Sequence, residues 1–143
     1  MNMEAKSNKN TTGSFEVYVD KSGPLKQDFK SFDVKEGGVE FFVQEGRGGP
    51  IVPRRQLGFG LLGKNLTGRY EVKDLEKVEY AEWSDMSDYR YKAKSGWIEI
   101  ELTESPSRIF GRFDMVVIQY EGSPPGGRPE ELSVSGTFDL ANG

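Results

Sequence analysis

Apolar and polar residues alternate along most of the chain with a period of two. Residues 15–19 and 39–43 each place an apolar side chain at every second position. Successive side chains of a β-strand point to opposite faces, so this period predicts strands with one buried face. The same reasoning predicts further strands at 29–34, 57–62, 68–72, 89–91, 97–102, 108–120 and 132–140.

The C-terminal third has the strongest strand pattern. Residues 115–118 are apolar at every position, which is typical of a central strand that is buried on both faces. Only residues 74–80 have helical character, so at most one short helix is predicted there. Many short strands separated by turn residues indicate an all-β, antiparallel fold. We predict a β-sandwich, with a β-barrel as the alternative.

The length of 143 residues fits one domain. Residues 1–12 are polar overall and contain no apolar run, so nothing in them would offset the entropy lost on ordering. We therefore predict a disordered tail over 1–12 and a single domain over 13–143.

Composition excludes several kinds of chemistry. The chain has no Cys and no His, which excludes disulfides, thiol nucleophiles, imidazole metal ligands and Ser–His catalysis. No metal and no cofactor are predicted. With 19 basic and 23 acidic residues the net charge is −4, and we expect no nucleic-acid partner.

Targeting signals are also missing from the sequence. The N-terminus has no apolar segment of the kind that a signal peptide needs, and the run Met115–Ile118 is far too short to span a membrane. The expectation is a cytoplasmic protein without a membrane span. If a leader was removed, the expected location is the cell envelope or the outside of the cell.

The glycine-rich segment 58–64 (GFGLLGK) matches two phosphate-binding patterns. Both patterns require a helix directly after the loop, so that its N-terminus faces the phosphate. Residues 65–68 (NLTG) predict a turn instead, and we interpret the segment as a bent strand. The preceding segment 45–56 is rich in Gly and Pro and predicts a loop, in which Arg54 and Arg55 are expected to be solvated.

Paired carboxylates are the remaining route to catalysis. Glu99 and Glu101 share one face of a predicted strand, with Cα atoms about 6.7 Å apart. Glycoside hydrolases use carboxyl groups roughly 5–9.5 Å apart, so a carboxylate-based hydrolase is a possible function. The common meaning of such a pattern is a solvent-facing polar row beside a buried apolar row.

Several aromatic residues fall outside the predicted inward rows. Trp83, Tyr89 and Tyr91 flank the polar loop 84–88, and Trp97 alternates with the apolar residues of its strand. Aromatic rings beside carboxylates stack on sugars and also anchor protein partners. The candidate ligand-binding residues are Trp83, Tyr89, Tyr91, Trp97, Glu99 and Glu101.

A series of short motifs runs through residues 67–140: TGRYEV, Tyr80-Ala, Tyr91, SGWIEI, RIFGRFD and VSGTFDL. This order resembles uncharacterised bacterial β-sandwich domains, often cell-envelope lipoproteins, that end in two strands carrying Gly-x-Phe. The envelope members have a lipobox Cys and a signal peptide, which this chain lacks. In the two Gly-x-Phe strands, we expect Gly111 and Gly136 to permit close approach of backbone or a ring. We expect Phe113 and Phe138 to fill the core.

The sequence therefore favours a non-enzymatic binding or structural module. Its partner would be a carbohydrate or a protein, contacted through the aromatic surface. The alternatives are the carboxylate-based glycoside hydrolase and a subunit of a larger protein assembly, and no feature of the sequence reveals the oligomeric state.

Overall fold

The structure, a computed structural model, describes residues 11–20, 22–46, 54–84, 87–104, 106–121 and 128–142. These residues form ten β-strands and one 3₁₀ turn, Val72–Asp74. The strands are β1 (Thr11–Val19), β2 (Gly23–Pro24), β3 (Phe29–Lys35), β4 (Gly38–Glu45), β5 (Arg54–Leu62), β6 (Gly68–Glu71), β7 (Lys77–Ser84), β8 (Ser87–Glu104), β9 (Ser107–Gln119) and β10 (Glu131–Asn142).

All ten strands belong to one antiparallel sheet. Its order is β2-β1-β10-β9-β8-β7-β5-β4-β3, and β6 pairs with the part of β8 that β7 leaves free. The sheet curls into a half-barrel. The prediction of an all-β, antiparallel fold is confirmed.

The curl brings β1 and β3, from opposite sides of the sheet, close together along a line that we call the seam. Side chains and backbone join across it: Phe32 N donates to Thr11 Oγ1 (3.2 Å), and Lys30 Nζ donates to Gly13 O (2.6 Å). Asn142 at the end of β10 donates from Nδ2 to Phe32 O (2.9 Å). Thr11 and Asn142 are also cross-strand partners, with 2.8 Å between Thr11 Oγ1 and Asn142 Oδ1.

One hydrophobic core fills the concave side of the sheet. Its centre is a group of five phenylalanine rings with the nearest pair of centroids, those of Phe41 and Phe138, 4.8 Å apart. Tilted and edge-to-face contacts of this kind add to the free energy gained by burying the rings. The five come from five different strands and are Phe15, Phe41, Phe59, Phe113 and Phe138.

The two Gly-x-Phe strands pack as the sequence predicts. A Cβ atom on Gly111 would lie 1.8 Å from the carbonyl oxygen of Glu99 and 3.0 Å from Phe138 Cζ. A Cβ atom on Gly136 would lie 1.9 Å from a backbone oxygen of β1 and 3.0 Å from Phe113 Cζ. Each phenylalanine therefore covers the glycine of the neighbouring strand. The predicted roles of both glycines and both phenylalanines are confirmed.

The helical character expected at 74–80 is wrong for most of that segment. The 3₁₀ turn Val72–Asp74 includes only the first residue of the segment, and β7 begins at Lys77. Val78 and Tyr80 pair with Phe59 and Leu57 of β5, so the period of two continues through the segment. Burial of these side chains in the sheet outweighs the local helical preference of the sequence.

Three strand boundaries also differ from expectation. The segments 89–91 and 97–102 belong to one strand, β8, which contains a bulge between Ala93 and Ser95. Strand β1 begins at Thr11, two residues before the predicted start of the domain, whereas residues 1–10 of the predicted tail lie outside the described residues. The loop predicted at 45–56 is shorter, since β4 ends at Glu45 and β5 begins at Arg54.

Candidate functional site

The inward-facing rows of three strands change from apolar to charged at one end of the core. Glu45 continues the inward row 39–43 of β4, Arg55 precedes the inward row 57–61 of β5, and Glu82 occupies the matching position on β7. The sheet register pairs Arg55 with both Glu45 and Glu82. Three adjacent strands therefore present charged side chains on the inner face of the sheet, at what we call its mouth end.

An open pocket with a volume of about 470 Å³ lies at the mouth end. We call it the mouth pocket. Three cationic, three carboxylate and two aromatic side chains are found among its described lining residues. They are Lys26, Arg55, Arg128, Asp28, Glu45, Glu82, Trp83 and Tyr89.

Arg55 and Glu45 form a doubly hydrogen-bonded ion pair. Arg55 Nε and Nη2 donate to the two carboxylate oxygens of Glu45, each at 2.8 Å, and both side chains are largely buried. The guanidinium also donates to the carbonyl oxygens of Ser22 and Gly23 (3.2 Å each) and Pro24 (2.9 Å). Hydrogen bonds from Arg55 hold the pKa of Glu45 below its usual value. The pair thus ties β4 and β5 to β2 and to Ser22, which directly precedes it.

Glu82 is the centre of a second network. It is only 7% exposed and accepts hydrogen bonds from Tyr80 Oη (2.6 Å) and from Arg128 Nε and Nη2 (2.6 and 3.1 Å). Arg128 Nη2 also donates to Ser22 Oγ (2.6 Å). Burial raises the pKa of Tyr80 far above its ordinary value, and the Glu82 carboxylate raises it further. Tyr80 therefore stays protonated and acts as a hydrogen-bond donor.

Of the four predicted aromatic residues, two lie at this site and two do not. Trp83 and Tyr89 are half-buried and line the mouth pocket. Tyr91 is fully buried, packs on Tyr80 with 5.6 Å between ring centroids, and donates from Oη to Pro129 O (2.8 Å). The prediction that Tyr91 belongs to a contact surface is wrong, because Tyr91 pairs with Tyr80 on the inner face of the sheet.

Trp97 belongs to a different surface. It is half-buried on the outer face of β8, where the guanidinium carbons of Arg69 and Arg112 lie 4.4 and 5.6 Å from its ring centroid. Six residues of extended strand separate it from Tyr91, roughly 20 Å at the usual rise. The four predicted aromatic residues therefore do not form one surface, and that part of the prediction is wrong.

Glu99 and Glu101 line an open groove of about 580 Å³ on the outer face, together with Phe110 and Arg112. They share a face, as predicted. Glu99 accepts hydrogen bonds from Arg69 Nη1 and Arg112 Nε, each at 2.9 Å, and these hold its pKa below the usual value. A catalytic acid needs the opposite shift. The ion pairs of Glu99 with Arg69 and Arg112 therefore favour a polar row on the outer face over a catalytic carboxylate pair.

Sequence reasoning missed the charged residues of the mouth pocket. The expectation that Arg55 is a solvated loop residue is wrong, since it lies in β5 with 12% of its side chain exposed. The sequence did contain a signal for the inward direction of these residues, because the inward alternation of β4 extends to Glu45 and that of β5 begins at Arg55. Arg128 gave no such signal, since it reaches Glu82 from 46 positions away along the chain.

The glycine-rich segment is not a phosphate loop. Gly58–Leu62 belongs to β5, and no helix follows it in residues 63–67. This confirms the interpretation of the segment as a strand followed by a turn. Across the described parts of the chain, no group of three or more metal-ligating side chains is close enough to hold a metal ion.

In comparisons with known proteins, no family model, no curated protein and no solved structure matches the chain. The resemblance of residues 67–140 to bacterial β-sandwich domains therefore stays a prediction. Among the residues that the structure describes, no helix has both the length and the apolar character needed to cross a membrane.

Proposed function

We propose that the protein is a non-enzymatic binding module and that its ligand binds in the mouth pocket. The observation that supports this most strongly is the layer of paired charges at the mouth end of an otherwise apolar core. Buried ion pairs contribute little net stability, and apolar residues of similar size often serve folding as well or better. Charges placed around an open pocket with two aromatic rings are better explained by binding.

The pocket is also organised in advance of binding. Arg55 and Arg128 are each held by two hydrogen bonds to a carboxylate, so little side-chain entropy remains to be lost when a ligand binds. Tyr89 pairs with Glu82 in the register and supplies flat contact area beside these fixed polar groups, and Trp83 lines the same pocket next to Arg54. Rings next to hydrogen-bonding groups are the usual anchors of a binding site.

Catalysis has less support in the same pocket. The pKa of Glu45 is lowered by Arg55, so this carboxyl group is ionised at neutral pH and is a poor general acid. The sequence offers no His or Cys as an alternative base or nucleophile. These features favour binding over turnover.

For the architecture, we favour the barrel over the sandwich. The seam supports this choice, because side chains of β3 and β10 reach backbone groups of β1 and β3 there. Nuclear Overhauser contacts between the amide of Phe32 and the side chain of Thr11 would support a barrel. Their absence, with contacts between two facing sheets instead, would favour the sandwich.

The two tryptophans make a direct test of the proposed site. Trp83 lies at the mouth pocket and Trp97 on the outer face, so their indole N–H resonances in a ¹⁵N-correlated NMR spectrum report on separate surfaces. The variants Trp83→Phe and Trp97→Phe assign the two signals. We expect ligands from a chemically diverse fragment panel to shift the Trp83 signal and leave the Trp97 signal in place.

The matched variants Trp83→Ala and Trp97→Ala complete this experiment. Loss of Trp83 should abolish binding, whereas loss of Trp97 should leave it intact, with both variants still folded by thermal melting. Ligands that shift only the Trp97 signal, or binding that survives in folded Trp83→Ala, would contradict the mouth pocket as the site.

A further inference from the structure

The described lining residues of the mouth pocket carry equal numbers of positive and negative charges. They include three cationic and three carboxylate side chains. The two buried carboxylates are each paired with an arginine, Glu45 with Arg55 and Glu82 with Arg128. The remaining two charges, on Lys26 and Asp28, lie at the exposed rim. The described lining residues thus present strong local dipoles, and their formal charges sum to zero.

We infer that the ligand is an uncharged, polyhydroxylated molecule of the size of one or two sugar rings, an inference that rests on the proposed function. An anionic ligand would have to compete with Glu45 or Glu82 for an arginine that is already doubly bonded. A cationic ligand would compete in the same way with Arg55 or Arg128. Inside the pocket either charge would lose its hydration and meet only arginines and carboxylates that are already paired, because Lys26 and Asp28 lie at the exposed rim.

The hydrogen-bonding capacity of the pocket walls fits hydroxyl groups. Glu45 accepts three described hydrogen bonds, from Arg55 Nε, Arg55 Nη2 and Lys26 N, and Glu82 accepts three as well. A carboxylate has about four lone-pair directions, so each retains capacity for one more donor. The rim adds an ammonium donor at Lys26 and a carboxylate acceptor at Asp28. A hydroxyl group both donates and accepts, which suits this mixture.

The aromatic residues fit the same ligand class. A sugar ring has a face of C–H groups, which packs on an aromatic ring while its hydroxyl groups point to the sides. Tyr89, the register partner of Glu82, offers such a ring on the inner face, and Trp83 lines the pocket with its ring 5.4 Å from the Arg54 guanidinium carbon. A purely apolar ligand would cover the four charged side chains of the two ion pairs with hydrocarbon, which is unfavourable. The volume of about 470 Å³ lies within the range of small-molecule sites, about 300–1,000 Å³.

The test is an NMR titration that follows the indole signals of Trp83 and Trp97. The probes are neutral saccharides (methyl β-glucopyranoside, cellobiose, maltose and lactose) and two charged analogues of the first, glucuronate and glucosamine. We expect at least one neutral saccharide to shift the Trp83 signal to saturation while the Trp97 signal stays in place. Each charged analogue should bind about tenfold more weakly than the best neutral probe.

A variant at the rim tests the argument from charge balance. Asp28→Asn removes an exposed carboxylate and makes the charge of the pocket more positive by one, with little effect expected on folding. The affinity for glucuronate relative to the neutral probe should rise in this variant. Glu82→Gln should change the preference in the same direction, and its thermal melt shows whether the fold survives.

The outcomes separate this inference from the proposed function. If fragments shift the Trp83 signal but no neutral saccharide does, the binding site stands and the inference is wrong. Tighter binding of glucuronate or glucosamine than of every neutral probe would also overturn it. If nothing shifts the Trp83 signal, both the proposed function and the inference fail.

Discussion

Gly111 and Gly136 lie where the sheet leaves no room for a side chain, since a Cβ atom would fall 1.8 or 1.9 Å from a backbone oxygen. We expect Gly111→Ala and Gly136→Ala each to lower the free energy of unfolding by about 2–4 kcal/mol, because backbone and a phenylalanine ring must move apart. Gly58→Ala is the control. Its Cβ would make an ordinary 3.4 Å contact with Phe42.

Urea denaturation of the three glycine variants measures this difference. Gly58→Ala should unfold close to the parent midpoint, and the other two well below it. Equal midpoints for all three would show that the close approach at Gly111 and Gly136 does not constrain the sheet.

The ion pair of Glu45 makes stability depend on pH. Because Arg55 lowers its pKa in the folded state, Glu45 stabilises the fold at pH values above the unfolded pKa of about 4.3. This contribution is lost as the pH falls through the folded pKa. Glu45→Gln should therefore cost about 1–3 kcal/mol at pH 7, and the difference from the parent should shrink as the pH falls below about 4.

Asp139→Asn is the matched control for the pH experiment. Arg108 lowers the pKa of Asp139 too, but through an exposed ion pair. Added salt should therefore reduce the effect of Asp139→Asn and leave that of Glu45→Gln largely unchanged. If the effect of Glu45→Gln on the free energy of unfolding did not vary with pH, the stabilisation by Glu45 would come from packing and not from charge.

At the scale of elements, strand β8 shows what a pattern of alternation cannot reveal. Residues 89–91 and 97–102 each alternate, but the bulge between Ala93 and Ser95 breaks the phase between them. Because no single period of two runs through both segments, the sequence pattern predicts two separate strands. The polar residues of KAKSG add to that impression, because they have low β-propensity. The bulge lets one strand bury Tyr91 and Ile98 on the same side.

The extra residue of the bulge sets the register of half of β8. Ala93 pairs with Val117 and Ser95 with Val116, so Lys94 has no partner in the register. Deleting Lys94 should shift the register of one half of β8 by one residue, so that its buried side chains point to solvent. We expect the Tm to fall by more than about 10 °C, or cooperative unfolding to be lost.

Lys94→Ala is the control for the deletion. It removes the exposed ion pair with Glu131 and keeps the residue count, so its Tm should stay near that of the parent. Circular dichroism melts compare the two. If the deletion melted like the substitution, the bulge would not determine the register.

The limits of the alternation pattern also explain which residues of the site could be predicted from the sequence. Trp83 and Tyr89 were found because large rings beside a polar loop are conspicuous in a sequence. Glu45 and Arg55 were missed because a charged residue at the end of a strand looks like the start of a loop. Its inward direction follows from the phase of the strand, and its burial follows from partners that only the folded sheet brings near.

At the scale of the whole molecule, the core is what holds the curled sheet together. Phe41 of β4 and Phe138 of β10 lie far apart in the strand order, yet their rings are in contact at 4.8 Å. The period of two predicted that both point inward. It could not predict that they meet, because contact depends on the curl of the sheet, which arises from the whole set of strands.

Thr11 and Asn142 are cross-strand partners, so the first and last described strands end side by side and a short linker can join them. A circular permutant, with a short linker from Asn142 to Thr11 and new termini between Glu36 and Gly37, keeps every strand pair. We expect it to fold with the parent's indole spectrum and a similar Tm. Both the linker and the new ends lie opposite the mouth pocket, so ligand affinity should be unchanged. Loss of the fold would show that the order of synthesis, and not the final neighbours alone, is needed to form the sheet.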